Sequence, residues 1–224
     1  NIEKIYIGVF IKMSNGEILN QLQQLVTYPQ ESLEVEIKSW MDLTDNEVKA
    51  KLAKHLIALA NHGGGYIIFG LKENNGFWVP DESNRPTNFN SYDQDTVNSI
   101  VQKYSEPVFH CTVYYPQRLD NNKEYPVIAV PGGHKVPIKA KRSGPNNNFI
   151  QENSYYIRRI GPSSDIAQSA QEWDTLIQKV IRNSRDELLS AIRDIMNGPI
   201  INTTSSDIEK KTELENWIKN SEER

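Results

Sequence analysis

The chain has 224 residues, 38% of them hydrophobic and 24% charged, with a formal net charge of −4. That length suits one good-sized domain with a tail, and the acidic balance excludes a global basic footprint for nucleic acid, so a polyanion site has to be a local patch. The single cysteine, Cys111, excludes an internal disulfide framework and a cysteine zinc cluster. It fits a reducing setting, and the expected location is cytoplasmic. No apolar run approaches the ~20 residues that span a bilayer, so no membrane partner is expected.

In chain order, the apolar run Ile5 to Ile11 predicts an edge strand, and Met13 is a candidate natural start. Ile18, Leu19, Leu22, Leu25 and Val26 recur at helical spacing, and Tyr28-Pro29 ends that helix. Residues 33–39 then alternate. Leu33, Val35 and Ile37 fall on one face, and Glu34, Glu36 and Lys38 on the other, with Glu31 just before the strand. Thr44-Asp45-Asn46-Glu47 reads as a capping box in which Thr44 caps the Glu47 N–H. Val48, Leu52, His55, Leu56 and Leu59 give the following helix one apolar face, with His55 a packed core residue. Gly63-Gly64-Gly65 ends it, and residues 66–71 form a buried strand.

Residues 72–92 read as loop, 93–104 as a short helix, 108–115 and 125–130 as strands around a turn at 120–123, and 154–160 as the last strand. Ser169 and Glu172 form a second capping box. From Trp173 the apolar positions keep helical phase to Gly198, with Ser184 to Glu187 a candidate break. A linker at 199–206 and a short charged helix at 207–219 close the chain. The triple glycine follows a helix rather than preceding one, and G-x-x-x-x-G-K-[ST] is absent. No nucleotide cofactor is therefore expected.

Four of these elements resemble the Schlafen AlbA-type domain family. They are Glu31-Ser32-(x)3-Glu36-Ile37-Lys38, then Ala58-Leu59-Ala60-Asn61-(x)-Gly63-Gly64 with its strand, then Val127 to Pro131 with Pro137, then Tyr156-Ile157-Arg158-Arg159-(x)-Gly161-(x)-Ser163-Ser164-(x)2-Ala167. The resemblance implies an α+β fold, a mixed β-sheet flanked by helices, here with a long C-terminal helical segment. It divides the chain into an extension at 1–28, the AlbA-type domain at 29–172, a helix or helix pair at 173–198 and a tail at 199–224. It also implies nucleic-acid handling. In members with endoribonuclease activity three acids bind Mg²⁺ or Mn²⁺. Glu31 and Glu36 match the first two, Lys72 takes the third acid's position, and Glu73 stands next to it.

Glu31, Glu36 and Glu73 are thus the candidate metal ligands, and Glu31, Glu36 and Lys38 the candidate catalytic group. A hard cation there activates water while Lys38 stabilises an oxyanion. The alternative for the same residues is a solvated strand face with a weak ion pair. The segment 134–142 carries Lys135, Lys139, Lys141 and Arg142 and no acid, and Arg158 and Arg159 add two charges. Clustered cations contact successive phosphates, and Tyr156 is a candidate stacking surface for unpaired bases. The expected partner is RNA or another single-stranded nucleic acid. The long C-terminal helix makes homodimerisation the further expectation. A non-catalytic nucleic-acid-binding or regulatory module, and an interaction scaffold built on that helix, are the alternatives to a nuclease.

Overall fold

The computed structural model describes residues 15–196. The strand expected at 5–11, the linker at 199–206 and the helix at 207–219 lie outside the described residues. By backbone packing the chain divides into two units, Asn1–Asn183 and Ser184–Arg224. In the second, the described part is the end of a helix on which Leu188, Leu189 and Ile192 are exposed.

In chain order the elements are α1 (Asn15–Thr27), β1 (Val35–Lys38), α2 (Asn46–His62), β2 (Gly65–Phe69), β3 (Leu71–Asn74), β4 (Phe77–Pro80), α3 (Gln94–Tyr104), β5 (Ser105–Glu106), β6 (Thr112–Tyr114), β7 (Val127–Val130), β8 (Lys139–Ala140), β9 (Tyr156–Arg159), β10 (Ser163–Ile166) and α4 (Ala170–Met196). The fold is α+β. The main sheet has the order β1-β2-β7-β6 and is mixed: β1 runs parallel to β2, and the other pairings are antiparallel.

Helices cover both faces of this sheet. Leu22 and Val26 of α1 pack with Val35, Ile37, Ile68 and Val127 on one side. On the other, α2 and α3 pack over Ile67, Phe69 and Ile128. The alternation in β1 therefore sorts residues between two cores, not between core and water. Glu36 is paired in register with Ile67 and lies on the α2 side, 2% exposed.

Four local readings change, the first being that the strand expected to be last is followed by β10, its antiparallel hairpin partner. The cap of α2 is Asp45, whose carboxylate accepts the Glu47 N–H at 2.8 Å, because the Thr44 hydroxyl is taken by Asp42 at 2.6 Å. Residues 71–80 form the β3–β4 hairpin, turned by Asn75 and Gly76, both at positive φ. An Asn-Gly pair is the favoured two-residue turn because both positions need that conformation. The candidate break at Ser184 to Glu187 does not occur, and α4 is one 27-residue helix. Its start keeps the reciprocal box: Ser169 Oγ accepts the Glu172 N–H at 3.2 Å, and Glu172 accepts the Ser169 N–H at 2.9 Å.

Glycines let two turns touch. A Cβ on Gly132 would lie 1.9 Å from the Gly63 carbonyl oxygen. Only hydrogen fits there, so the turn ending α2 and the turn ending β7 close backbone to backbone.

Candidate functional site: a compensated acid beneath a cationic helix

Glu36 sits at the middle of a charge network that joins β1, α2 and the β9–β10 hairpin. Arg158 of β9 donates to one carboxylate oxygen, and Lys38 pairs with the other. The Arg158 side chain is fully buried and also donates to the Ser32 carbonyl at 2.8 Å, the Leu33 carbonyl at 3.1 Å and Ser164 Oγ at 3.1 Å. Its planar fork binds the start of β1 and the acid together, a task suited to several fixed donors.

His55 of α2 completes the network from above. Its Nδ1 lies 3.1 Å from Ser164 Oγ and 3.5 Å from the Glu36 carboxylate. Burial, with Lys38, Lys54, Arg158 and Lys51 nearby, pushes its pKa well below the usual imidazole range. It is therefore neutral at physiological pH, and it is the packed histidine that its apolar helix face predicts. Its Nε2 is buried and has no hydrogen-bond partner among the described residues.

Glu31 lies beside Glu36 but is held differently. It accepts the Ile37 N–H at 3.2 Å. Burial, reinforced by the Glu36 charge and opposed by that hydrogen bond, raises its pKa above the ordinary carboxylate range. Glu73 is exposed on β3, in register with Trp78. Lys72, at the third acid's position, pairs instead with Asp81 at 3.3 Å.

Among the described residues no three His, Cys, Asp or Glu side chains are grouped to hold a metal ion. Glu36 already has a cation on each oxygen, so the arrangement does not fit a divalent metal. A metal would have to displace Arg158 and Lys38 and still lack a third acid.

The expected nucleic-acid residues separate into two groups. Tyr156 is 2% exposed in the α2 core, and its hydroxyl accepts the Gln151 N–H at 2.8 Å, so its ring offers no face to a base. Arg158 is committed to Glu36, and Arg159 is paired with Asp165 at 2.6 Å and Glu172 at 2.7 Å. These three were legible as a motif, but not as parts of the framework. In the other group, Lys135 is exposed and Lys139 pairs with Glu106 at 3.1 Å. Lys141 and Arg142 are exposed, with no carboxylate in ion-pair range among the described residues.

The backbone beneath Lys141 and Arg142 is pinned. Asn61 of α2 donates to the Ile138 and Tyr156 carbonyls at 2.7 and 2.9 Å and accepts the Ile138 N–H at 2.7 Å. Lys141 N–H reaches the Tyr104 carbonyl at 2.8 Å. Sequence reasoning missed Lys51 and Lys54 on the outer side of α2. Their three-residue spacing is the only local signal for them, and it is also the spacing of an ordinary solvated helix face.

A mixed four-stranded sheet between helices, with Glu31, Glu36 and Lys38 at its edge strand and a Y-I-R-R strand locked onto them, defines a recognisable class of α+β domain. The chain belongs to the Schlafen AlbA_2 family, whose model matches residues 31–167. α1 precedes the matched region and α4 follows it. Among curated proteins none matches in sequence. Several solved structures are similar, two of them as follows. The DIP2311 protein from Corynebacterium diphtheriae is 14% identical at a TM-score of 0.40, over 72% of this chain and 33% of its own. The N-terminal domain of a RecG-related protein from Nitrosomonas europaea is 22% identical at a TM-score of 0.37, over 70% of this chain and 95% of its own. The chain thus spans a third of the length of the first.

Proposed function

We propose that this domain binds nucleic acid through its phosphates and that Glu36 serves the framework rather than a metal-dependent cleavage. The observation that carries the reading is the placement of Lys141 and Arg142. Both are exposed on a segment pinned to α2, and neither has an acidic partner among the described residues. In a chain of net charge −4, exposed cations held on a rigid base supply a local phosphate site. Family membership supports the same reading. A second copy of the chain seated on Ile177 and Ile181 of α4, both exposed, is its finer part.

The test is fluorescence anisotropy with labelled single-stranded RNA and DNA, run beside a cleavage assay with Mn²⁺ and with EDTA. The expected result is salt-dependent binding that weakens in Lys141→Ala/Arg142→Ala, with no cleavage. Mn²⁺-dependent products lost in Glu36→Ala would establish the nuclease reading instead. No binding to either strand would remove the nucleic-acid reading altogether. Light scattering of the same sample reads the oligomeric state.

A further inference from the structure

We infer that Lys51 and Lys54 form a second phosphate-contact group, so that a single strand of nucleic acid lies along α2 between them and Lys141/Arg142; this rests on the nucleic-acid reading above. Residues three apart on a helix are surface neighbours. Lys51 is exposed and Lys54 half-buried, and neither has a carboxylate in ion-pair range among the described residues. Lys38 approaches the same region from β1 through its pair with Glu36.

The two acids that act on Lys54 are already paired with other cations. Asp165 is bound to Arg159 at 2.6 Å, and Glu36 to Arg158 and Lys38. The lysines are left repelling one another. Burial first, and then the charges of Lys38 and Lys51 against the pull of Asp165, make Lys54 a weaker base than an ordinary lysine. Phosphate oxygens set against Lys51 and Lys54 relieve that repulsion, and the relief favours binding.

Lys141 and Arg142 flank the same helix. The segment 138–144 is anchored near one end of α2 by the Asn61–Ile138 bonds. At the other end, a Cβ on Gly144 would lie 3.0 Å from that of Ala50. Residues 50 to 61 rise about 16 Å at ~1.5 Å each, so the segment runs beside three turns of α2. The loop that follows folds back, with the Gly144 N–H on the Ile150 carbonyl at 2.9 Å, and it leaves Phe149 43% exposed. An exposed ring beside a row of cations is the pairing that single strands use, with bases stacked on the ring and phosphates on the charges.

The experiment uses the full chain and labelled single-stranded oligonucleotides of about 16 nucleotides, with binding constants measured from about 50 to 200 mM salt. Each single-strand phosphate contact contributes about 0.7 to the log–log salt slope, so Lys51→Ala/Lys54→Ala should lower the slope by about 1.4. Affinity should fall on the order of tenfold, and Lys51→Arg/Lys54→Arg should restore both. Phe149→Ala should weaken binding without changing the slope. An unchanged slope in Lys51→Ala/Lys54→Ala, with loss only in Lys141→Ala/Arg142→Ala, would overturn the path along α2 while leaving the nucleic-acid reading intact. Tighter binding of a duplex of the same length would overturn the single-strand assignment. A wild-type chain that binds no nucleic acid would remove both.

Discussion

Arg158 and Glu36 are 122 residues apart in the sequence and form a buried ion pair. The pair fastens the β9–β10 hairpin to the edge of the main sheet, and its acid is one of the three candidate metal ligands read from the sequence. Removing the arginine leaves a buried carboxylate with Lys38 as its remaining cation. Arg158→Met should cost about 3–5 kcal/mol in urea unfolding. Arg158→Met/Glu36→Leu should cost much less, because no buried carboxylate is left short of its cation and Lys38 can turn toward solvent. Equal losses in the single and double variants would count against the ion-pair account.

The same geometry predicts weak divalent-metal binding. A ligand at about a hundredfold its Kd stabilises a fold by about 2.7 kcal/mol. Mg²⁺ and Mn²⁺ should give the wild-type chain no measurable thermal shift. Arg158→Met/Lys38→Met, which frees both oxygens of Glu36 beside Glu31, should gain a dose-dependent shift with Mn²⁺. A clear wild-type shift lost in Glu36→Gln would restore the metal reading.

Asn61 closes three hydrogen bonds to the backbone at Ile138 and Tyr156 while 7% exposed. Asn61→Ala strands those backbone groups away from water, with an expected cost of about 2–4 kcal/mol. It also loosens the segment that carries Lys141 and Arg142. Nucleic-acid affinity should therefore fall although no charge is lost. Unchanged stability would show that the segment is held from elsewhere.

His55 and His62 both have pKa values below the ordinary imidazole range, His55 by burial and nearby cations. For His62 the causes are burial and Lys179, opposed by Glu34. Lys179 donates to His62 Nδ1 at 3.2 Å, and His62 Nε2 lies 3.3 Å from Glu34, so the ring is neutral with its proton on Nε2. The unfolded chain takes up protons first, near pH ~6.5, and the folded chain only lower. Stability is thus full above about pH 6.5 and is lost as pH falls through the folded values. Glu31, whose pKa is raised, acts in the opposite sense. The urea midpoint should drop between about pH 7.5 and 5.5, and His55→Asn, which keeps a polar atom toward Ser164 without titrating, should flatten the drop.

Gly132→Ala brings a methyl against the Gly63 carbonyl oxygen at 1.9 Å, so the two turns must part. The expected cost is about 1–3 kcal/mol, read as a lower Tm. Gly133→Ala is the informative neighbour: its Cβ meets nothing within 4 Å, but its φ of +76° disfavours any side chain. A smaller loss there than at Gly132 separates contact from conformation.

Much of this protein was legible in its sequence because the signals are local. The period of α2 and of α4, the second capping box, the glycine stop and the apolar strand each depend on neighbours within a turn or two. The order of motifs from Glu31 to Ala167 carried the family. The Asn-Gly turn between β3 and β4 was also local, and it went unread as a hairpin because its strands are short and polar.

Charge placement was decided only by the tertiary structure. Whether Glu36 meets water, a metal or an arginine depends on a partner 122 residues away, and no spacing within the strand encodes that distance. Arg158 and Arg159 are adjacent in sequence, yet one is buried in the core network and the other bridges Asp165 and Glu172 at the surface, because successive strand residues point to opposite faces. Lys51 and Lys54 became a candidate site once the fold showed that Asp165 and Glu36, the acids acting on Lys54, are paired with Arg159, Arg158 and Lys38. A sequence counts charges; only the folded chain shows which of them remain uncompensated.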